Sequence, residues 1–255
     1  MARNDLFSLD GKVALVTGAS SGLGQAMAIA LATYGADLFL VSHTNRAGLA
    51  ETAARVEALG RRAEVFPFDL GREDCGRVVE RCVASLGSVD ILVNNAGIIE
   101  REPAERHGLD VWERVMRVNA RAIFLLSQAA GRHMLRKGYG KIINVASVLS
   151  FQGGILVPSY AASKGAVVQL TRALANEWAG RGVNVNAIAP GYMRTANTRP
   201  LQEDPERSRA ILDRIPAGRW GVPDDLAGSV VFLASRASDY VHGHVLCVDG
   251  GWLSR

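Results

Sequence analysis

Short runs of β-branched and apolar residues alternate along the chain with longer stretches in which apolar residues recur at helical spacing. The short runs predict strands at Lys12–Thr17, Asp37–Ser42, Ala63–Pro67, Val89–Val93, Lys141–Ala146, Val183–Ala189 and Val245–Val248. Between them, Leu23–Tyr34, Arg46–Gly60, Asp110–Lys137 and Tyr160–Trp178 predict helices. Several of the strand runs are almost continuously apolar, as strands buried on both faces must be. Strands alternating with helices in this way predict an α/β fold: a parallel sheet with helices on both faces. No linker, repeat or low-complexity tract interrupts the pattern, so residues 1–255 are expected to form a single domain. The connection after the sixth strand is long, carries Pro190, Pro200, Pro205, Pro216 and Pro223, and predicts a short helix over Asp204–Ile215. A long excursion from the carboxyl end of a strand is where a lid over a substrate sits, here about residues 191–222.

Composition narrows the function. Nearly half of the 255 residues (48%) are apolar, which supplies a sizeable core. The 29 basic and 25 acidic residues are dispersed, and the net charge of +4 describes a solvated surface with no nucleic-acid footprint. The small positive excess favours anionic small molecules. Cys75, Cys82 and Cys247 are too few and too scattered for a disulfide framework or a zinc site, so no metal is expected. No apolar run reaches the ~18–20 residues that span a membrane. Met1–Lys12 has no apolar signal region, so a cytoplasmic setting is expected.

The first predicted strand runs straight into TGASSGLG, Thr17 to Gly24, and then an Ala-rich helix. Glycine lets the backbone turn sharply and approach a pyrophosphate, while the helix N-terminus offers free N–H groups and a favourable dipole. Gly18, Ser20, Ser21, Gly22, Leu23 and Gly24 are therefore candidate cofactor contacts. At the end of the second strand an acidic residue accepts from both ribose hydroxyls and repels a 2′-phosphate. This chain has Ser42, His43 and Thr44 there, followed by Asn45 and Arg46, so both NAD and NADP stay open. His43 and Arg46 are candidate 2′-phosphate contacts, and Asp69 can accept from an adenine amino group. Asn94-Asn95-Ala96-Gly97 follows the fourth strand; its small residues permit close approach and its amides can tie neighbouring strands together.

Tyr160 and Lys164 stand one helical turn apart, so phenol and ammonium share a face. A free phenol with a pKa of ~10 is a poor proton shuttle at neutral pH. A cation ~4 Å away at an effective dielectric near ~20 favours phenolate by about 4 kcal/mol, which predicts a lowered pKa for Tyr160 and general acid/base work. Ser147, at the end of the fifth strand, can hold a substrate oxygen. Asn119 lies inside a predicted helix, where Asn is not favoured, and can hold a water between Lys164 and solvent.

With TGASSGLG, NNAG at Asn94–Gly97, Asn119, Ser147, YAASK at Tyr160–Lys164 and PG at Pro190–Gly191 in this order, the chain resembles the short-chain dehydrogenase/reductase family. The resemblance implies a Rossmann-type, doubly wound sheet of seven parallel strands, an NAD(P)(H) cofactor, an Asn-Ser-Tyr-Lys catalytic tetrad and a homotetramer. It extends the cofactor set to Leu70, Asn95, Ala96, Gly97, Pro190, Gly191 and Met193. It also implies that Lys164 binds the nicotinamide ribose and that Thr195 helps hold the carboxamide. The halves then divide at about residue 140, cofactor before and substrate after.

Longer stretches, such as KIINVASVLSFQGGILVPSYAASK and RIPAGRWG, are similar to the family's sugar-acid branch, whose members oxidise a secondary alcohol on a six-carbon acid. A sugar acid needs a cationic anchor, and Arg101, in the loop after the fourth strand, is the first candidate; Arg194 and Arg199 on the lid come second. Members of that branch often carry two arginines where this chain has Glu100-Arg101. Gln152 can donate to a substrate hydroxyl, and the tail Asp249–Arg255 is expected to pack near a neighbouring subunit. Other readings stay open: a reductase of 3-oxoacyl thioesters, steroids or polyols, or a Rossmann protein that senses NAD(P) without turnover.

Overall fold

The structure, a computed structural model, describes residues 6–72 and 74–255. Met1–Asp5 of the stretch read for targeting, and Glu73, lie outside the described residues. The chain runs β1 Val13–Thr17, α1 Gly22–Thr33, β2 Asp37–Ser42, α2 Arg46–Ala58, β3 Ala63–Pro67, α3 Gly76–Leu86 and β4 Ile91–Asn94. It continues through α4 Leu109–Met116, α5 Ala122–Lys137, β5 Gly140–Val145, α6 Pro158–Trp178, β6 Val183–Pro190, α7 Arg199–Glu203, α8 Pro205–Arg214, α9 Ala227–Ala234 and β7 Val245–Val248. All seven predicted strands form, with ends shifted by at most two residues.

The strands make one parallel sheet in the order β3-β2-β1-β4-β5-β6-β7. Strand side chains alternate between two cores, as the pleat requires. Ala14, Val16, Leu38, Leu40, Ile91 and Val93 pack on one face under α1, α2 and α9. Leu15, Phe39, Val41, Leu92 and Ile142 pack on the other under α3, α5 and α6. A fully buried Leu, Ile or Val side chain contributes about 1.5–3 kcal/mol, so these two layers carry the fold.

The chain winds outward from β1 to β3 and then crosses back to start β4 beside β1. The connections leave β1 and β4 in opposite directions and open a crevice at their carboxyl ends. A ladder of amides closes the sheet beneath it. Asn94 Nδ2 donates to Ser127 Oγ at 3.0 Å and to Asn144 Oδ1 at 2.9 Å, and Asn144 Nδ2 donates to Thr171 Oγ1 at 2.9 Å. Across the crevice, Asn95 Nδ2 donates to the Thr17 carbonyl at 2.9 Å, and the Asn95 and Ala96 N–H groups both donate to Thr17 Oγ1. The amides of the NNAG turn therefore do tie neighbouring strands.

Two elements differ from the pattern reading. The helix expected over Asp110–Lys137 is two helices, α4 and α5, joined by a π-helical turn at Arg117–Arg121 that contains Asn119. Hydrophobic periodicity does not register one extra residue in a turn, so the interruption is silent in the sequence. The lid carries a second short helix, α7, ahead of α8, where Asp204 Oδ1 accepts from the N–H groups of Glu206 and Arg207 as the N-cap.

Asn144→Ala is expected to lower the unfolding free energy by about 3 kcal/mol, because it strands the Asn94 and Thr171 polar groups in the core. Urea denaturation checks this; a loss under about 1 kcal/mol would mean the ladder is not what joins β4 to β5 and α6.

Candidate active site

The carboxyl ends of the central strands and the start of the lid enclose a cavity of about 350 Å³. Its floor near β1 is the Thr17–Gly24 turn. A Cβ on Gly24 would lie 2.2 Å from the Gly18 carbonyl, so only glycine lets α1 start against that turn. Ser21 caps α1 without a side-chain hydrogen bond, and no acidic residue stands in the helix's first turn. The free N–H groups of the 12-residue α1 thus present partial positive charge where Ser21, Gly22 and Leu23 line the cavity. That is a cradle for a pyrophosphate, and the residues present fit a dinucleotide.

Of the predicted cofactor contacts, Gly18, Ser20–Gly24, Asn95, Ala96, Gly97, Tyr160, Lys164, Pro190, Gly191, Met193 and Thr195 line this cavity. Ser42, His43, Thr44, Asp69 and Leu70 lie outside its lining, at the ends of β2 and β3. There Ser42 Oγ sits 2.9 Å from Ser20 Oγ, and Asp69 Oδ2 is 3.6 Å from His43 Nε2. The pattern missed Val145, Ala146, Ala196, Asn197 and Thr198, which also line it. Apolar strand ends and lid residues carry no chemical signal that marks them beforehand.

α6 begins at Pro158, where a missing N–H costs nothing, and sets Tyr160 and Lys164 one turn apart. His107, buried, bonds Ser159 Oγ through Nε2 at 2.9 Å and so braces this first turn; its role has no sequence signal. Ser147, two residues past the end of β5, is in extended conformation, and its Oγ accepts from the Leu149 N–H at 3.1 Å. Ser150 Oγ donates to the Lys164 carbonyl at 2.8 Å and holds the turn against α6.

Lys164 is 3% exposed, and its Nζ donates to the Val145 carbonyl at 2.6 Å. Burial brings its pKa down to about 8. The lowered phenol pKa expected from Lys164 is not what the structure holds. Burial pushes the Tyr160 phenol above its ordinary value, against a hydrogen bond with Ser147 and the charge of Arg101. Lys164 Nζ points at Val145 and stands 5.7 Å from the Tyr160 ring centre, so desolvation of the phenolate wins.

Asn119, wholly buried, gives both amide hydrogens away: to the Ile98 carbonyl at 2.9 Å and to Ser163 Oγ at 3.1 Å. Its Oδ1 accepts from the Ile98 N–H at 2.8 Å. The side chain therefore fixes the loop after β4 against α6 with both of its donors, and a relay water there would have to donate to the second lone pair of Oδ1.

A second cavity of about 120 Å³ opens on the far side of Tyr160 and Ser147. Arg101, Tyr192, Asn197 and Arg207 are on its walls. Arg101 Nη2 donates to the Asn197 carbonyl at 2.9 Å, joining the β4 loop to the lid. Tyr192 packs its ring on Trp220 and Trp252 at 5.7 and 4.6 Å. Burial raises its phenol pKa, while Arg207, Arg214 and Arg101 pull the other way. Gln152 does not line this cavity, and its Oε1 accepts from Arg214 Nη2 at 3.0 Å. Arg194 and Arg199 are exposed and line neither cavity. Trp252 of the tail is buried beside Val148, Ile211 and Trp220, while Ser254 and Arg255 stay exposed.

Cys75 and Cys82 are buried, with thiols pushed up to about 11 and about 12 by desolvation, so both are inert core residues. No group of three or more His, Cys, Asp or Glu among the described residues is placed to hold a metal ion, and no described helix is long and apolar enough to cross a membrane.

This fold and site are those of a known family. The short chain dehydrogenase family matches residues 12–206, and the chain belongs to it. It is 56% identical over 252 residues to the 2-dehydro-3-deoxy-D-gluconate 5-dehydrogenase of Bacillus subtilis, covering 99% of this chain and 98% of that one. It is 43% identical over 254 residues to the gluconate 5-dehydrogenase of Gluconobacter oxydans, covering 98% of each. Among solved structures, the gluconate 5-dehydrogenase of Burkholderia cenocepacia in complex with NADP and tartrate superposes with a TM-score of 0.94 at 42% identity, covering 99% of each chain.

The Lys164 pKa has a consequence for stability. Its folded value lies below that of an exposed lysine, so the charged form is penalised in the folded state at low pH. The penalty is full below about pH 8 and fades as pH rises toward about 10.5. Lys164→Met is expected to stabilise the fold by about 3 kcal/mol at neutral pH, with the gain shrinking through that window. Thermal melts across pH check it; a destabilised variant at neutral pH would contradict a buried ammonium under strain.

Proposed function

We propose that the protein is an NAD(P)-dependent dehydrogenase that interconverts a secondary alcohol and a ketone on a six-carbon sugar acid of the 2-dehydro-3-deoxy-D-gluconate or gluconate type. The observation that carries this reading is that Tyr160 and Ser147 stand where two cavities meet. One cavity has a glycine turn and a helix N-terminus, and the other has two arginines. The relatives' names supply the substrate class.

When bound, the nicotinamide exchanges a hydride with the reacting carbon. The chain supplies the rest. Ser147 holds the substrate oxygen, and Tyr160 exchanges the proton at that oxygen. With its pKa raised, the Tyr160 phenol is protonated at neutral pH and is ready to donate to a ketone. Lys164 holds the nicotinamide ribose, and Thr195 the carboxamide. Asn119 positions the loop that carries Gly97. Arg101 anchors the substrate carboxylate.

The cofactor is NAD or NADP, because no carboxylate stands at the end of β2 to turn a 2′-phosphate away. We further propose a cytoplasmic homotetramer, in keeping with three cysteines that form no disulfide, a half-exposed β7 edge and a fully exposed Tyr240. Light scattering at four times the subunit mass is the expected outcome, and a monomer would contradict it.

Tyr160→Phe is expected to lower kcat for a sugar acid by about 10²–10⁴ while the cofactor still binds, as nicotinamide fluorescence reports. Retained turnover would remove Tyr160 from the proton step. Ser42→Asp is expected to cut kcat/KM with NADP at least about tenfold and to spare NAD. Equal loss with both cofactors would mean that β2 does not read the ribose.

A further inference from the structure

Two guanidinium groups line one small cavity with no carboxylate between them. Arg101 comes from the loop after β4 and spends one N–H on the Asn197 carbonyl. Arg207 comes from the first turn of α8, on the lid, and its guanidinium makes no hydrogen bond or ion pair among the described residues. No acidic residue lines the cavity. Glu100, next to Arg101 in the chain, faces away and binds Arg114 Nη2 at 3.1 Å. Asp204, the acid that precedes α8, is committed to the backbone of Glu206 and Arg207.

Two like charges beside a shared, partly enclosed space repel each other, and an anion between them turns that repulsion into attraction. A guanidinium also matches a carboxylate geometrically, because its planar fork donates two parallel hydrogen bonds. The remaining polar residues on the walls are Ser147, Tyr160, Tyr192 and Thr198, which carry hydroxyls, and Asn197, which carries an amide. The cavity therefore offers positive charge to one part of a small hydroxy acid and hydroxyls to the rest.

We propose that Arg207 is the second cation of the substrate site and binds the substrate carboxylate together with Arg101. This rests on the sugar-acid reading above and adds the residue that makes the site select acids. Because Arg207 rides on α8, an acidic substrate draws the lid onto itself, and a neutral one of the same shape does not. The arginine pair that the chain lacks at Glu100-Arg101 is completed in space from the lid.

The test compares wild type, Arg207→Ala and Arg207→Lys. KM and kcat are measured for 5-keto-D-gluconate and for fructose, an uncharged ketose, with saturating reduced cofactor. Binding of tartrate to the enzyme–NADP complex is measured by calorimetry. Arg207→Ala is expected to raise KM for the keto acid about tenfold or more, to weaken tartrate to a similar degree, and to leave kcat within about threefold and KM for fructose unchanged. Arg207→Lys recovers part of the loss. Unchanged KM for the keto acid, or equal changes for acid and ketose, would overturn the proposal, the second outcome marking a lid residue that serves only folding. Wild-type turnover tests the sugar-acid reading separately. If wild type leaves sugar acids untouched while tartrate binding still depends on Arg207, that reading falls and the anion site stands. If wild type reduces the acid and Arg207→Ala behaves as wild type, Arg207 alone falls.

Discussion

An ammonium group sits at the floor of the cleft, almost fully buried, with the Val145 carbonyl as its hydrogen-bond acceptor. Burying a charge with so little compensation is costly, and the lowering of the Lys164 pKa to about 8 reflects that cost. Much of the surrounding structure holds it there. β5 supplies the carbonyl, Ser150 binds the Lys164 backbone, and Asn119 fixes the β4 loop close beside Nζ. Packing alone does not favour such an arrangement, and it belongs with function rather than stability.

From that floor two spaces open in different directions. Toward α1, a glycine turn and an uncompensated helix N-terminus suit a long anionic cofactor. Toward the lid, arginines and hydroxyls suit a short anionic substrate. Tyr160 and Ser147 belong to both, so a proton passed there sits beside any hydride passed between the occupants. The electrostatics of the two spaces agree in sign. Both attract anions, which a net charge of +4 spread over the whole surface does not by itself explain.

The seven-stranded sheet was legible in the sequence because its strands are short runs rich in β-branched and apolar residues, several of them almost continuously apolar, set between segments of helical spacing. Gly18, Gly24, Tyr160 and Lys164 were legible because their chemistry needs neighbours in the chain: a turn leading into a helix, and two side chains one turn apart. What depends on distant partners was not. The direction of the Tyr160 shift followed burial, which spacing does not show. Asn119 was found, but its side chain is spent on Ile98 and Ser163, and the π-helical turn that carries it leaves no trace in periodicity. Gln152 was taken by Arg214, and Arg207 reached the substrate cavity from a helix whose sequence reads only as a polar lid segment.

The central claim is that this site pairs alcohol–ketone chemistry with recognition of a negative charge. The most direct measurement is kcat/KM of the wild-type enzyme for a sugar acid against its own carboxamide, which matches it in shape and lacks only the charge. A preference for the acid of about 100-fold or more is expected, since two charge-assisted contacts are lost with the carboxylate. Equal values for the two compounds would contradict the account.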